Sequence, residues 1–145
     1  MKFPKDVIDF IRKPNYMFLS EHNPDGSIHS TIVWYEFNAN KNIFRFSTTS
    51  DRVKYRNLAK DPRVTFIIVA EGNMYQYVQV RGRVTSFTRK GAYDFIDSES
   101  KRYMGVDKYP YEPKRDKDRV TYTITPQKFF SNGFESSRAF KRSRN

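Results

Sequence analysis

The sequence contains no cysteine, which excludes disulfides, thiolate zinc sites and cysteine-held iron–sulfur clusters. Histidine is almost as scarce, since His22 and His29 stand alone and fall short of a zinc-ligand set. No run approaches the ~18 apolar residues of a membrane-spanning helix. The opening stretch "MKFPKDVIDFIRK" carries charge throughout, with no apolar core followed by small residues, so no secretory signal is expected. These absences lead us to expect a soluble, cytoplasmic protein that does not associate with membranes. No Ser-His-Asp set and no paired carboxylates argue for hydrolytic or acid–base catalysis. Internal repeats and linker-like stretches are missing as well. The 145 residues therefore read as one domain over residues 1–135, followed by a basic tail over 136–145.

What is present is rings and positive charge. Aromatic residues make up 17% of the chain, nearly all of them Tyr and Phe, so the mean hydropathy of -0.82 does not signal disorder. The core should be rich in rings. Lys and Arg number 27 against 16 Asp and Glu, a net charge of +11. Such a field favours nucleic acid, an acidic surface or a phosphorylated cofactor.

Periodicity orders the elements. "FPKDVIDFIRKPN" places Val7, Ile8, Phe10 and Ile11 on one side of a short lid helix that Pro4 opens and Pro14 ends. "YMFLSEH", the turn "NPDGS" and "IHSTIVWYEF" predict a hairpin. "IFRFSTT" predicts a strand ending in hydroxyls, followed by a helix over 51–60 that Pro62 terminates. "RVTFIIVAE" predicts a central strand. "MYQYVQVRGRVTSF" predicts a long one with Tyr75, Tyr77 and Gln79 on one face and Gln76, Val78 and Val80 on the other. "TRKGAYDFIDSESKRYMG" predicts a helix with Thr88 as N-cap, a stripe of Ala92, Phe95, Ile96 and Tyr103, and Gly105 as stop. After the proline-bearing loop "DKYPYEPKRDKD", two further strands are expected in "RVTYTITP" and "KFFSNGF". Six or seven strands joined by short turns, with three short helices, predict a mainly β fold: a small antiparallel barrel with short flanking helices.

The stretch "STTSDRVKYRNL" concentrates the chemistry. Ser47, Thr48 and Thr49 close a strand, Ser50 is placed to cap, and the first turn of the next helix should be exposed and carry Arg52 and Lys54. Hydroxyls, helix amides and cations converge there as a seat for phosphate. A cap followed by a solvated basic face explains the same letters.

The order "NPDGSIHSTIVWYEF", "FSTTSDRVKYRNLAKDPRVTF", "YVQVRGRV" and "IDSESKRYMGVDKYPY" resembles the pyridoxamine 5'-phosphate oxidase-like split-barrel family, and within it the deazaflavin-dependent (coenzyme F-420) oxidoreductases. The resemblance runs from about Val7 to Phe130. It implies an FMN-binding-like split β-barrel in which Ser47, Thr48, Thr49, Arg52 and Lys54 hold the ribityl phosphate. It implies too that Ser30, Thr31, Ile32, Val33 and Trp34 run beside the ring system. Ile32 could equally belong to the core. A homodimer is implied, with Tyr75, Tyr77 and Gln79 reaching the site from the partner chain. The pattern departs at Ser50 and Asp51, where an acid stands close to the expected phosphate.

On this resemblance the expected function is that of an oxidoreductase passing hydride between coenzyme F-420 and a small conjugated organic substrate. FMN is the alternative cofactor, and a flavin or deazaflavin carrier without turnover is the alternative role. The basic residues lie at helix starts and in the tail, without the interleaved aromatic and basic strand platform of a nucleic-acid-binding barrel, which argues against that class.

Overall fold

The computed structural model describes residues 1–137; from residue 138 onward the expected basic tail lies outside the described residues. The chain runs α1 (Lys5–Ile11), β1 (Tyr16–His22), β2 (Ile28–Val33), β3 (Glu36–Asn38), β4 (Ile43–Thr49), α2 (Val53–Lys60), β5 (Arg63–Ala70), β6 (Asn73–Thr88), α3 (Ala92–Met104) and β7 (Arg119–Asn132). The strands form one antiparallel sheet of seven in the order β2-β1-β5-β6-β7-β4-β3. Its two edge strands, β2 and β3, are joined only by Trp34 and Tyr35. Edges that close in sequence must also be close in space, so the sheet rolls into a barrel that is split between them. The expected mainly β split barrel is the observed fold.

Alternation along the strands fills the interior. Met17 and Leu19, Phe44 and Phe46, Phe66 and Ile68, Val78 and Val80, and Val120, Tyr122 and Ile124 are all buried, one face per strand. The ring-rich core is observed too: Phe44 meets Phe66 edge-on at 4.9 Å, a favoured aromatic arrangement. Helix α1 buries Val7, Phe10 and Ile11. Just ahead of it, Phe3 packs on Phe37, Phe44 and Phe129, so the N-terminus closes one end of the barrel.

Several boundaries differ from the sequence expectation. "IHSTIVWYEF" is two strands, because its halves pair with different partners, β1 and β4. Conversely, "RVTYTITP" and "KFFSNGF" belong to the single strand β7. Pro126 is tolerated there because it stands opposite Gly82 at a shift in register, where the ladder is already interrupted. Gly82 is needed at that bend, since a Cβ there would come within 2.7 Å of the Thr125 carbonyl oxygen. Thr88 ends β6 instead of capping α3; the cap is Gly91, in the left-handed region at φ 74°. Likewise α2 starts at Val53 with extended Arg52 at its N-cap, since Ser50 is drawn away by the hydrogen bond its backbone N–H donates to the Asp118 carbonyl, 2.8 Å.

Candidate functional site

A cleft of about 510 Å³ opens where the barrel is split, within the range of small-molecule sites. The end of β2 supplies Thr31, Ile32, Val33 and Trp34. The end of β4 supplies Ser47, Thr48 and Thr49, and the start of α2 supplies Arg52 and Lys54. Tyr16, Ile96, Tyr109, Tyr111 and Arg119 complete the lining. The rolled sheet brings β2 and β4 together although they are not hydrogen-bonded neighbours.

The cleft lining includes three cations, Arg52, Lys54 and Arg119. Lys54 is buried, contrary to the exposed turn expected for it, because Lys54 and Asn57 share the face of α2 that packs on β1. It forms no hydrogen bond or ion pair with a described residue. Burial depresses its ammonium below the ordinary lysine range; the nearby Glu21 carboxylate opposes that shift and Arg52 adds to it. Glu21 is itself buried, with Oε1 lying 2.5 Å from His29 Nδ1 and accepting from Asn57 Nδ2 at 3.3 Å. Arg119, also buried, donates to Ser47 Oγ at 2.9 Å and to Glu112 Oε1 at 2.7 Å, while its Nε has no hydrogen-bond partner among the described residues. Burial would raise the Glu112 carboxyl, but donation from Tyr93 and Arg119 outweighs it and holds the group below its ordinary value. Asp51 points into this seat no further than Thr49 and Lys117, whose Oγ1 and Nζ reach it at 2.5 and 3.3 Å. Its charge is thus met within the protein.

The cleft also carries a cluster of rings, and the Arg119 guanidinium lies over the Tyr109 ring at 5.1 Å. Trp34 stacks on Tyr103 at 5.1 Å with planes 9° apart, Tyr109 meets Trp34 edge-on at 5.8 Å, and Tyr111 meets Tyr109 at 5.6 Å. The Tyr103 hydroxyl donates to the Asn15 carbonyl at 2.6 Å and accepts from the Tyr35 amide at 3.2 Å. That hydroxyl therefore ties α3 to the start of β1 and to the link between β2 and β3. Asp97 on α3 accepts from the Tyr109 amide at 2.9 Å and from both Arg115 Nη atoms at 3.0 and 2.7 Å, which ties the loop after α3 over the cleft.

Most residues singled out in the sequence meet in this cleft: Thr31, Ile32, Val33, Trp34, Ser47, Thr48, Thr49, Arg52 and Lys54. Ile32 is 61% exposed and so is not a core residue. Ser30 shares the outer face of β2 with Ile32 but does not line the cleft, and its Oγ lies 2.7 Å from Ser20 Oγ. Tyr75, Tyr77 and Gln79 do not line the cleft within one protomer. They lie on the outer side of β6, opposite the buried Val78 and Val80. Sequence reasoning missed Tyr109, Tyr111 and Arg119. Two tyrosines flanking Pro110 in an otherwise charged loop were the available signal for the first two. Arg119 carries none until β7 is paired with β4, which sets it opposite Thr49.

The chemistry of the donor set fits a phosphorylated, planar ligand. The buried Lys54 ammonium, the Arg119 Nε–H and the buried Thr31 Oγ1, none with a hydrogen-bond partner among the described residues, all border one cleft. Each is costly unless something meets it.

Residues 3–133 match the pyridoxamine 5'-phosphate oxidase family. Among solved structures, the chain is similar to an F-420 reductase at TM-score 0.77 and 29% identity, covering 88% of this chain and 98% of that one. It is also similar to a conserved hypothetical protein from Mycobacterium tuberculosis (TM-score 0.69, 21% identity, covering 91% and 85%). A heme storage protein, HutZ, from Vibrio cholerae gives TM-score 0.68 at 13% identity, covering 94% and 99%. Those last two likenesses are of fold alone. No curated protein matches the chain.

Proposed function

The chain belongs to the pyridoxamine 5'-phosphate oxidase family, and from that membership we propose that its cleft binds coenzyme F-420 and that the protein is an oxidoreductase acting on a small conjugated organic substrate. The reading is carried by what the cleft lining combines: hydroxyls and cations at Ser47, Thr48, Thr49, Arg52 and Lys54, together with rings at Trp34, Tyr109 and Tyr111. A phosphate-bearing ribityl chain with a planar ring calls for both kinds of surface. When bound, the deazaflavin supplies two-electron hydride transfer. The protein's part is to bind, orient and shield. Lys54 and Arg52 hold the phosphate as counter-charges, Ser47 and Thr48 supply hydroxyls to its oxygens, and Trp34, kept in place by Tyr103, sets the plane against which a ring lies. The likeness to an F-420 reductase supports the same choice of cofactor.

We also propose a homodimer. The strand register aligns Ile32, Phe18, Ile67, Gln79 and Phe130 in one row across the outer face of the sheet. Ile32, Phe18 and Phe130 are 61, 44 and 43% exposed. An apolar row of this kind on a sheet face needs a cover. Because Ile32 belongs to the row and to the cleft alike, a second copy seated there brings Tyr75, Tyr77 and Gln79 toward its neighbour's site.

Competition titration tests the cofactor, with F-420 and FMN each displacing the other and tryptophan fluorescence reporting through Trp34. F-420 is expected to bind more tightly. Tighter binding of FMN would make the protein an FMN oxidoreductase of the same fold, and binding of neither would remove the cofactor reading.

A further inference from the structure

The cations of the cleft differ in how their charge is met. Arg119 has its own carboxylate in Glu112, at 2.7 Å with both side chains buried. Lys54 has no bonded partner among the described residues, but Glu21 lies near it, 1% exposed, with an Oε2 that likewise has no hydrogen-bond partner among them. Asn57, on the same face of α2 as Lys54, donates to the other oxygen of that carboxylate. A buried carboxylate with an unmet oxygen beside a buried ammonium with no bond offset each other electrostatically. Asp51 is matched outside the cleft by Lys117. Arg52 is exposed, and its guanidinium is in no ion pair among the described residues. Arg52, Lys54 and Arg119 set against Glu21 and Glu112 therefore leave one uncompensated positive charge.

We propose that Glu21 is a specificity-determining residue, which sets the cleft's charge to suit a phosphodiester carrying one negative charge over a phosphomonoester carrying nearly two. This rests on the cofactor reading above and refines it. A second ionised oxygen would find no free cation and would be repelled by the carboxylate of Glu21, in a half-buried site where charges are poorly screened. Discrimination of this kind comes from the repulsive element as much as from the attractive ones.

The probes are FMN and its phosphate methyl ester. They share ring and ribityl chain and differ by one charge above a pH of about 6, where a phosphomonoester loses its second proton. In the wild-type protein the ester should bind at least about threefold more tightly than FMN at about pH 8, and the gap should close at about pH 5, where both ligands carry one charge. At about pH 5 the two ligands carry equal charge, so any change of charge on His29, Glu21, Lys54, Arg52, Asp51, Lys117, Glu112 or Arg119 acts on both alike and cancels in the ratio there. Glu21→Gln, which keeps the side-chain shape, should move that ratio toward FMN by about fivefold at about pH 8. Wild-type protein that binds FMN as tightly as the ester at the higher pH overturns the proposal, as does a variant that changes both affinities equally. If neither flavin nor F-420 binds the wild type, the cofactor reading fails and takes this proposal with it. If ligands bind with an unshifted ratio, this proposal fails alone.

Discussion

Lys54 stands two positions from the exposed Arg52 in a basic stretch, yet it is buried against β1. Its burial alters the substitution that best tests it. Lys54→Glu would set a second carboxylate beside Glu21 and threaten the fold, whereas Lys54→Gln removes the charge and keeps the length. The latter should weaken cofactor binding by at least about tenfold, ~1.4 kcal/mol, in a fluorescence titration, with the far-ultraviolet circular dichroism unchanged. Equal affinity would leave the motif as a helix start and no more. Glu99 makes a second residue-scale case. It is 1% exposed; burial pushes its carboxyl up to about 7 against the pull of Arg102, which donates to Oε2 at 2.7 Å. The unfolded chain titrates this group near 4.5, so on raising the pH from there to about 7 the unfolded state sheds its proton first. Stability contributed by the protonated group is then lost, by at most a few kcal/mol. Thermal midpoints should fall across that window in the wild type and fall less in Glu99→Gln. Parallel curves for the two proteins would contradict the assignment.

At the scale of elements, the loop after α3 matters more to the cleft than its irregular composition suggests. It brings Tyr109 and Tyr111 to the rings and Glu112 to Arg119, and Asp97 is the anchor that gathers Tyr109 and Arg115. Asp97→Ala should leave the barrel folded but free this loop. Tryptic cleavage within residues 108–117 should become faster, and cofactor affinity should drop by about tenfold, because ordering the loop would then be charged against binding. Unchanged proteolysis would show that the loop is held by other contacts. The element-scale errors of sequence reasoning share one cause. Thr88 and Ser50 have the chemistry of N-caps, but whether a hydroxyl caps depends on what else competes for the segment. Pairing with β7 carries Thr88 into a strand, and Asp118 draws Ser50 away.

At the scale of the molecule, the exposed row through Phe18 and Ile32 predicts self-association. Phe18→Asp puts a charge in the middle of the row while leaving the cleft lining untouched, so the wild type should scatter light as a dimer at micromolar concentration and the variant as a monomer with weakened cofactor binding. A monomeric wild type with full affinity would remove the partner chain from the site. The sequence by itself determined the class of fold, the ring-rich core and most of the cleft's lining. Strand alternation, turn residues and the hydroxyl-to-cation stretch are local properties, written within a few residues of where they act. Tertiary structure alone decided that β2 and β4 meet in one cleft, that Arg119 comes to lie against Ser47, and that Glu21 bonds to Asn57 on the Lys54 face of α2. The residues of each pair stand far apart in sequence, and only the rolling of the sheet, driven by burial of its inner face, brings them within reach.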